Sequence, residues 1–325
     1  MTGRFIKPVN ALSAGLKYIK SIMTGKVFVS AMPVALSIEL TNNCNLQCPE
    51  CPSGSGLMKR RRGYMDKELF SRIISELKPY LFNLNLYFQG ESMLHPRFFS
   101  FLANNPDIPV TLSTNGHFLS EENSEKLVRS NLSKLVISLD GLDQDTYSKY
   151  RKEGNVDTVI KGISNVINAK ERYESHLKPE LQFLVHRYNE HQIRDIKRFA
   201  GKHKLVLNFK SMQISDKSHI EFWLPLSRRF RRYEKTNGEY IIRNSMPDRC
   251  ARLWFNPVIT WDGKVLPCCF DKDADHVMGD LNRDSFRDVW NSTKYGVFRK
   301  NVLHARNTID ICRNCTSGMS IRIKY

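Results

Sequence analysis

The sequence predicts an α/β protein in which a parallel sheet with covered faces is followed by a small cysteine-rich domain with a β-hairpin. Three observations predict it. Short apolar runs alternate with helical patterns from about residue 34, the alternation lapses near residue 212, and five of the eight cysteines fall after residue 249. The chain of 325 residues is 41% hydrophobic and 26% charged, ordinary values for a globular protein. No uncharged apolar run reaches the roughly 18 residues of a membrane-spanning helix. The net charge of +17 is compatible with an anionic partner, whether nucleic acid, a membrane surface or an acidic substrate, and equally with a cytoplasmic protein of high pI.

Residues 1–33 form a basic N-terminal extension, with Arg4, Lys7, Lys17, Lys20 and Lys26 and no acidic residue. Leu12, Leu16, Ile19 and Met23 recur at helical spacing. A basic amphipathic helix can lie on an anionic membrane surface. A helix packing that face on the protein's own body is commoner, and it is the favoured expectation.

Residues 34–215 carry the alternation. Strand-like runs are Val34–Leu40, Leu84–Phe88, Val110–Ser113, Leu135–Leu139, Leu181–Val185 and Leu205–Phe209. Helical patterns lie near 66–78, 96–104, 120–130, 156–174 and 190–201. Six short hydrophobic strands alternating with helices indicate a parallel sheet. Such sheets place their chemistry at the carboxyl ends of the strands. Residues 216–249 read as a polar connector containing Arg228–Arg229–Phe230–Arg231–Arg232. That run could touch RNA, although a solvated helix face is commoner. In residues 250–325, Val258–Trp261, Asp262–Gly263 and Lys264–Leu266 read as a hairpin, and Phe286–Asn291 and Tyr295–Asn301 as short helices.

A long chain without a secretory signal favours metal-binding cysteines in a reducing, cytoplasmic compartment over disulfides. Cys44, Cys48 and Cys51 follow C-x3-C-x2-C in the loop after the first strand. A cubane [4Fe–4S] cluster takes four ligands, so three thiolates leave one iron open. A structural zinc site needs a fourth Cys or His, and His95 is the nearest candidate, more than forty residues on. Cys250, Cys268, Cys312 and Cys315 read C-x17-C-x43-C-x2-C. Four thiolates close either a cluster or a zinc site, and spacing alone leaves both open. Cys269 adjoins Cys268 and is read as a spare that could replace it.

The run Thr41–Asn42–Asn43–Cys44–Asn45–Leu46–Gln47–Cys48–Pro49–Glu50–Cys51 resembles the signature of the radical S-adenosylmethionine (SAM) superfamily. The resemblance implies a partial (β/α)6 TIM-like barrel. It also implies a SAM-binding [4Fe–4S] cluster on Cys44, Cys48 and Cys51, with the methionine moiety chelating the open iron. Reductive cleavage of SAM would then give a 5′-deoxyadenosyl radical that abstracts a substrate hydrogen. Gln89–Gly90–Glu91 is similar to the family's Gly-Glu motif; Ser113–Thr114–Asn115–Gly116 and Ser138–Leu139–Asp140–Gly141 resemble its later strand ends. Gly90, Glu91, Asn115, Ser138 and Asp140 are therefore candidate SAM contacts. Arg151 is a candidate partner of the methionine carboxylate, by the fork geometry such groups favour. Glu50 departs from the pattern, because relatives place an aromatic residue there, against the adenine.

The second cysteine set resembles the auxiliary-cluster module called SPASM, in its shortened twitch form. That resemblance implies a second [4Fe–4S] cluster on Cys250, Cys268, Cys312 and Cys315. The expected function is a radical SAM oxidoreductase acting on a sugar, aminocyclitol or anionic metabolite. The alternatives are a peptide maturase, an RNA-modifying enzyme and a non-catalytic zinc-binding interaction protein. The expected partners are a small-molecule or peptide substrate and a flavodoxin- or ferredoxin-like electron donor. Nucleic acid is not expected. A peripheral membrane contact through the N-terminal helix is the remaining candidate, which would place a cytoplasmic protein at the membrane surface.

Overall fold

The computed structural model describes residues 5–103, 107–243, 246–315 and the backbone of 323–324. The elements begin with α1 (Ile6–Thr24), β1 (Ala35–Ile38), α2 (Pro52–Ser55), α3 (Lys67–Leu77), β2 (Asn83–Asn85), α4 (Phe98–Ala103) and β3 (Val110–Thr114). They continue with α5 (Glu121–Val128), β4 (Leu132–Ser138), α6 (Gln144–Tyr150), α7 (Val156–Arg172), β5 (Lys178–Val185), α8 (Ile193–Lys202), β6 (Val206–Ser211) and α9 (Ile220–Trp223). The last are β7 (Tyr233–Thr236), β8 (Glu239–Ile242), α10 (Arg252–Phe255), β9 (Val258–Ile259), β10 (Lys264–Leu266), β11 (Gly279–Asp280), α11 (Phe286–Trp290), α12 (Thr293–Ala305), α13 (Asp310–Arg313) and β12 (Ile323–Lys324). All six expected strands are present, and the protein is α/β with a mostly parallel sheet. Two compact units form, one from Met1–Asn43, Met58–Thr111 and Met246–Ser317, the other from Cys44–Leu57, Leu112–Ser245 and Gly318–Tyr325.

In the first unit β1 pairs in parallel with β2, and β2 with the start of β3. On its other side β1 pairs in parallel with β9, Ser37 opposite Val258 and Ile38 opposite Ile259. β10 and β11 follow antiparallel. The C-terminal hairpin thus extends the sheet that holds β1 and covers what would be an open strand edge. Gly263 sits at φ 83° and its N–H returns to the Thr260 carbonyl at 2.9 Å. The hairpin loop is therefore longer than the two-residue turn its Asp–Gly pair suggests. Asp66 caps α3 by accepting from the Glu68 and Leu69 amides, and the helix buries Leu69, Phe70, Ile73, Ile74 and Leu77 at one-face spacing.

Helix α1 packs on the body of this unit, but by the face opposite the one expected. Ala14 and Ser21 are buried, Asn10 exchanges two hydrogen bonds with the Met32 backbone, and Tyr18 meets the rings of Trp254 and Phe255. Leu12, Leu16, Ile19 and Met23 are exposed. Small and polar residues suit close helix packing here, so the apolar stripe is left facing outward.

In the second unit β4, β5 and β6 are parallel, with Ser138 opposite Gln182 and Val185 opposite Ser211, and β12 joins β6 antiparallel. The connector contains an unexpected hairpin, β7–β8. Asn237 and Gly238 turn it at φ 49° and 85°, the two positive φ values of a type I′ turn. Helix α6 is a second addition, capped by Asp143 at the Thr146 amide. The arginine run does not present one exposed face: Arg232 is buried, and Phe230 packs on Phe209.

A buried ion pair anchors the first unit just beyond β1. The Arg60 Nη atoms donate to both oxygens of the fully buried Glu39 at 2.7 Å, and Arg60 Nε donates to the Lys272 carbonyl at 2.8 Å. Burial pushes the Glu39 carboxyl up, and Arg60 opposes that push. Removing one partner of such a pair costs about 3–5 kcal/mol. Arg60→Ala is expected to lose about that much in urea unfolding, and a loss below about 1 kcal/mol would refute the anchoring role.

Candidate functional site

The second unit draws Cys44, Cys48 and Cys51 into one apolar cluster with Leu46, Tyr150, Met212, Ile214 and Trp223. The local chain explains the convergence. The Cys51 amide donates to the Cys48 carbonyl at 3.2 Å, and Cys51 opens α2, accepting from the Gly54 and Ser55 amides. Gly54 permits this close approach, because a Cβ there would lie 2.4 Å from the Cys48 nitrogen. The Gln47 amide reaches the Lys152 carbonyl at 3.1 Å, fastening the loop to the end of α6.

Burial pushes the Cys48 thiol up to about 12, and Arg151 is the main opposing charge. Arg151 Nη1 lies 3.9 Å from Cys48 Sγ, while its Nε donates to Asp140 Oδ2 at 2.6 Å. The other Asp140 oxygen accepts from the Leu184 amide at 2.7 Å. Asn115 Nδ2 donates to Asn45 Oδ1 at 2.8 Å and lies 3.9 Å from Cys44 Sγ. Ser138 is buried at the end of β4. The structure therefore gathers Asn115, Asp140 and Arg151 with the three cysteines in this unit. Asp140 and Arg151 act first on one another.

Gly90 and Glu91 belong to the first unit, against Thr41–Asn43. Gly90 sits at φ 75°, and a Cβ there would lie 2.6 Å from the Thr41 and Asn43 carbonyl oxygens. The Glu91 amide donates to the Asn43 carbonyl at 2.8 Å, and its carboxylate, almost wholly buried, accepts from the Met93 amide at 3.2 Å.

Also in the first unit, Cys250, Cys268, Cys312 and Cys315 are buried and Cys269 is half-buried. The Cys315 amide turns back to the Cys312 carbonyl at 3.0 Å, shaping the C-terminal pair into a claw. Buried Arg306 places Nη2 3.6 Å from Cys315 Sγ and Nη1 2.7 Å from the Arg249 carbonyl. Burial works against the Arg306 charge, but Cys250, Cys315 and Cys312 outweigh it. Cys269 acts most strongly on Arg252, ahead of Cys268 and Cys250. Burial pushes Cys312 up to about 11 against Arg306 and lifts Cys268 well above its ordinary value.

Both sets fit an anionic iron–sulfur cluster: buried or half-buried sulfurs, guanidinium groups beside them, and N–H donors toward sulfur from Leu46 at 3.5 Å and Phe270 at 3.4 Å. Among the described residues no three His, Cys, Asp or Glu side chains close on a point suited to a single metal ion. A cubane spreads its ligands over four irons instead.

The role of Glu50, which the sequence marked only as a departure, and two further features escaped the sequence reading. Glu50, almost wholly buried, accepts from the Ser215 amide at 3.1 Å and meets His219 Nδ1 at 2.8 Å. It ties the cysteine loop to the segment after β6. Beside it opens a cavity of about 610 Å³ lined by Lys149, Lys152, His219, Phe222 and Trp223. At the end of β5, fully buried His186 is held neutral: burial and Arg151 lower its pKa to about 3, and its Nε2 meets no hydrogen-bond partner among the described residues. Its place one residue past a strand was the available signal.

Residues 38–200, half of the chain, match the radical SAM superfamily, and residues 250–316 match the SPASM iron–sulfur cluster-binding domain. The S-adenosyl-L-methionine-dependent 2-deoxy-scyllo-inosamine dehydrogenase of Niallia circulans is 22% identical over 87% of this chain and 92% of its own. The solved structure of BtrN in complex with AdoMet and 2-DOIA matches at a TM-score of 0.57 and 19% identity, over 89% of this chain and 95% of that one. Streptococcus suis SuiB bound to precursor peptide SuiA matches at 0.64 and 17%, over 90% and 72%. These likenesses show the shared fold.

Glu50→Ala removes the acceptor of the Ser215 amide and the partner of His219. The expected loss is about 1–2 kcal/mol in urea unfolding of the anaerobic protein. Glu50→Gln keeps an acceptor and should lose clearly less; equal losses would mean that the carboxylate, and not its hydrogen-bonding position, fixes the loop.

Proposed function

This chain belongs to the radical SAM superfamily and carries a SPASM iron–sulfur cluster-binding domain, and from that premise we propose which residues hold its cofactors and what it oxidises. As a radical SAM oxidoreductase it uses SAM and [4Fe–4S] clusters. The SAM-binding cluster is assigned to Cys44, Cys48 and Cys51, within a barrel over residues 34–215. The auxiliary cluster is assigned to Cys250, Cys268, Cys312 and Cys315, within residues 250–325. The observation that carries the first assignment is the convergence of three thiols, one buried and two half-buried, beside Arg151.

When bound, these groups supply a 5′-deoxyadenosyl radical that takes a substrate hydrogen and an acceptor for the remaining electron. The chain's own part is electrostatic and steric. Arg151 offsets charge at Cys48, and Arg306 at Cys315. The Asn115 amide faces Cys44. Apolar packing by Leu46, Tyr150, Ile214 and Trp223 keeps water from the thiols. Gly90, Glu91, Asn115, Ser138, Asp140 and Arg151 are the proposed SAM contacts.

The proposed substrate is a small alcohol such as an aminocyclitol, a sugar or an anionic metabolite, oxidised with loss of two hydrogens. Likeness to the 2-deoxy-scyllo-inosamine dehydrogenase along most of both chains supports this reading. A peptide substrate is the second reading, supported by the likeness to SuiB bound to its precursor peptide. A flavodoxin- or ferredoxin-like protein is the proposed electron donor, and α1 the proposed contact with a membrane surface.

Anaerobic reconstitution should load about eight irons per chain and yield 5′-deoxyadenosine on reduction with SAM. Replacing Cys44, Cys48 and Cys51 with Ala should leave about four irons and abolish cleavage. Replacing Cys312 and Cys315 with Ala should also leave about four irons, retain cleavage and lose the oxidised product. A colourless zinc protein that leaves SAM intact would overturn the assignment.

A further inference from the structure

Helix α1 is amphipathic in the inverted sense. Phe5, Val9, Leu12, Leu16, Ile19 and Met23 follow spacings of four and three residues, which at 3.6 residues per turn keeps them on one stripe about 80° wide. Their exposures are 64%, 59%, 66%, 59%, 50% and 79%. The opposite face is the attached one, through Ala14, Ser21, Asn10 and Tyr18. Ser21 Oγ also accepts from the Phe28 amide at 3.0 Å, fixing the chain as it leaves the helix. The helix is thus rigidly mounted with its apolar side outward. Scattered surface hydrophobics need no explanation, but six aligned along about 27 Å of helix do.

Charge selects the occupant. Lys7, Lys17, Lys20 and Lys26 accompany the helix, and no Asp or Glu precedes Glu39 in the chain. A second copy would bring two all-cationic helices together, where like charges oppose pairing. An anionic bilayer complements both the apolar stripe and the lysines. Among the described residues no helix is long and apolar enough to cross a membrane, so the helix would lie on the surface.

We propose that α1 docks the protein on an anionic lipid bilayer, with the Phe5–Val9–Leu12–Leu16–Ile19–Met23 stripe buried at the headgroup boundary and Lys20 and Lys26 on lipid phosphates. This deepens the membrane contact already proposed and stands apart from the radical chemistry, because α1 contributes none of the assigned cofactor residues. The test is flotation of the reconstituted full chain with vesicles of phosphatidylcholine, with and without phosphatidylglycerol. Binding should be about tenfold tighter or more to the anionic vesicles and should weaken with salt. Leu12→Ser/Leu16→Ser and, separately, Lys20→Glu/Lys26→Glu should each lose about tenfold in affinity. Neither should alter 5′-deoxyadenosine formation in solution.

Wild-type protein that cleaves SAM but ignores anionic vesicles overturns the docking and leaves the radical reading standing. Vesicle binding untouched by the serine variant shows that another surface makes the contact and overturns the assignment to the stripe. A dimer in light scattering that Leu12→Ser/Leu16→Ser dissolves, without vesicle binding, gives the stripe to a second copy instead.

Discussion

The cysteine loop of the second unit depends on one buried charge, the guanidinium of Arg151. Fully buried Asp140 holds it at 2.6 Å, and it reaches to 3.9 Å from Cys48 Sγ. Asp140 is itself fixed, since its second oxygen takes the Leu184 amide and its carbonyl takes Asn189 Nδ2 at 2.9 Å. The pose of a loop that follows β1 in sequence is therefore set by groups that follow β4 and end β5. Tyr150 completes the arrangement beneath the guanidinium, with the charge 5.5 Å from its ring centroid.

Magnitudes show how far this charge goes. Two unit charges about 4 Å apart interact by about 4 kcal/mol at an effective dielectric of 20. Burying one ion costs several kcal/mol after relaxation. One arginine therefore compensates a buried thiolate in part, which is why the Cys48 thiol is pushed up to about 12 with Arg151 beside it. The first unit repeats the pattern with Arg306, where Cys312 is pushed up to about 11. In the proposed assignment the remainder would come from a cluster held by these cysteines, since metal binding favours the deprotonated thiol. In both pockets a guanidinium stands beside a cysteine whose thiol burial pushes up.

Much of this was legible in the sequence. The six strands were readable because β-branched and leucine-rich runs of four to eight residues, covered on both faces, look like little else. Cys44, Cys48 and Cys51 were readable because their spacing is short enough to act locally. The pairing of β9 with β1 was not, since registry between strands some 220 residues apart leaves no local trace. The β7–β8 hairpin did leave one, Asn237–Gly238, overlooked inside a polar stretch. Arg306 and His186 were hidden for a different reason: an isolated Arg or His carries no periodic signal until burial and neighbours give it meaning. The apolar stripe of α1 was seen, but its direction depends on which face Tyr18 and Asn10 seat.

Glu50 marks where this chain has its own character. Relatives are expected to place an aromatic residue there, yet its carboxylate is committed to the Ser215 amide and His219. That commitment pins the segment after β6 to the cysteine loop and leaves a cavity beside it. Phe222 and Trp223 give the cavity an apolar wall; Lys149 and Lys152 give it positive charge that the single Glu50 cancels only in part. A net positive recess with an apolar aromatic wall favours an anionic group that also presents an apolar face. The cysteine spacing accounts for the radical chemistry, while Lys149, Lys152, Phe222 and Trp223 line the recess from outside the cysteine loop. Selectivity is accordingly expected in Lys149, Lys152, Phe222 and Trp223, which lie outside the cysteine motif.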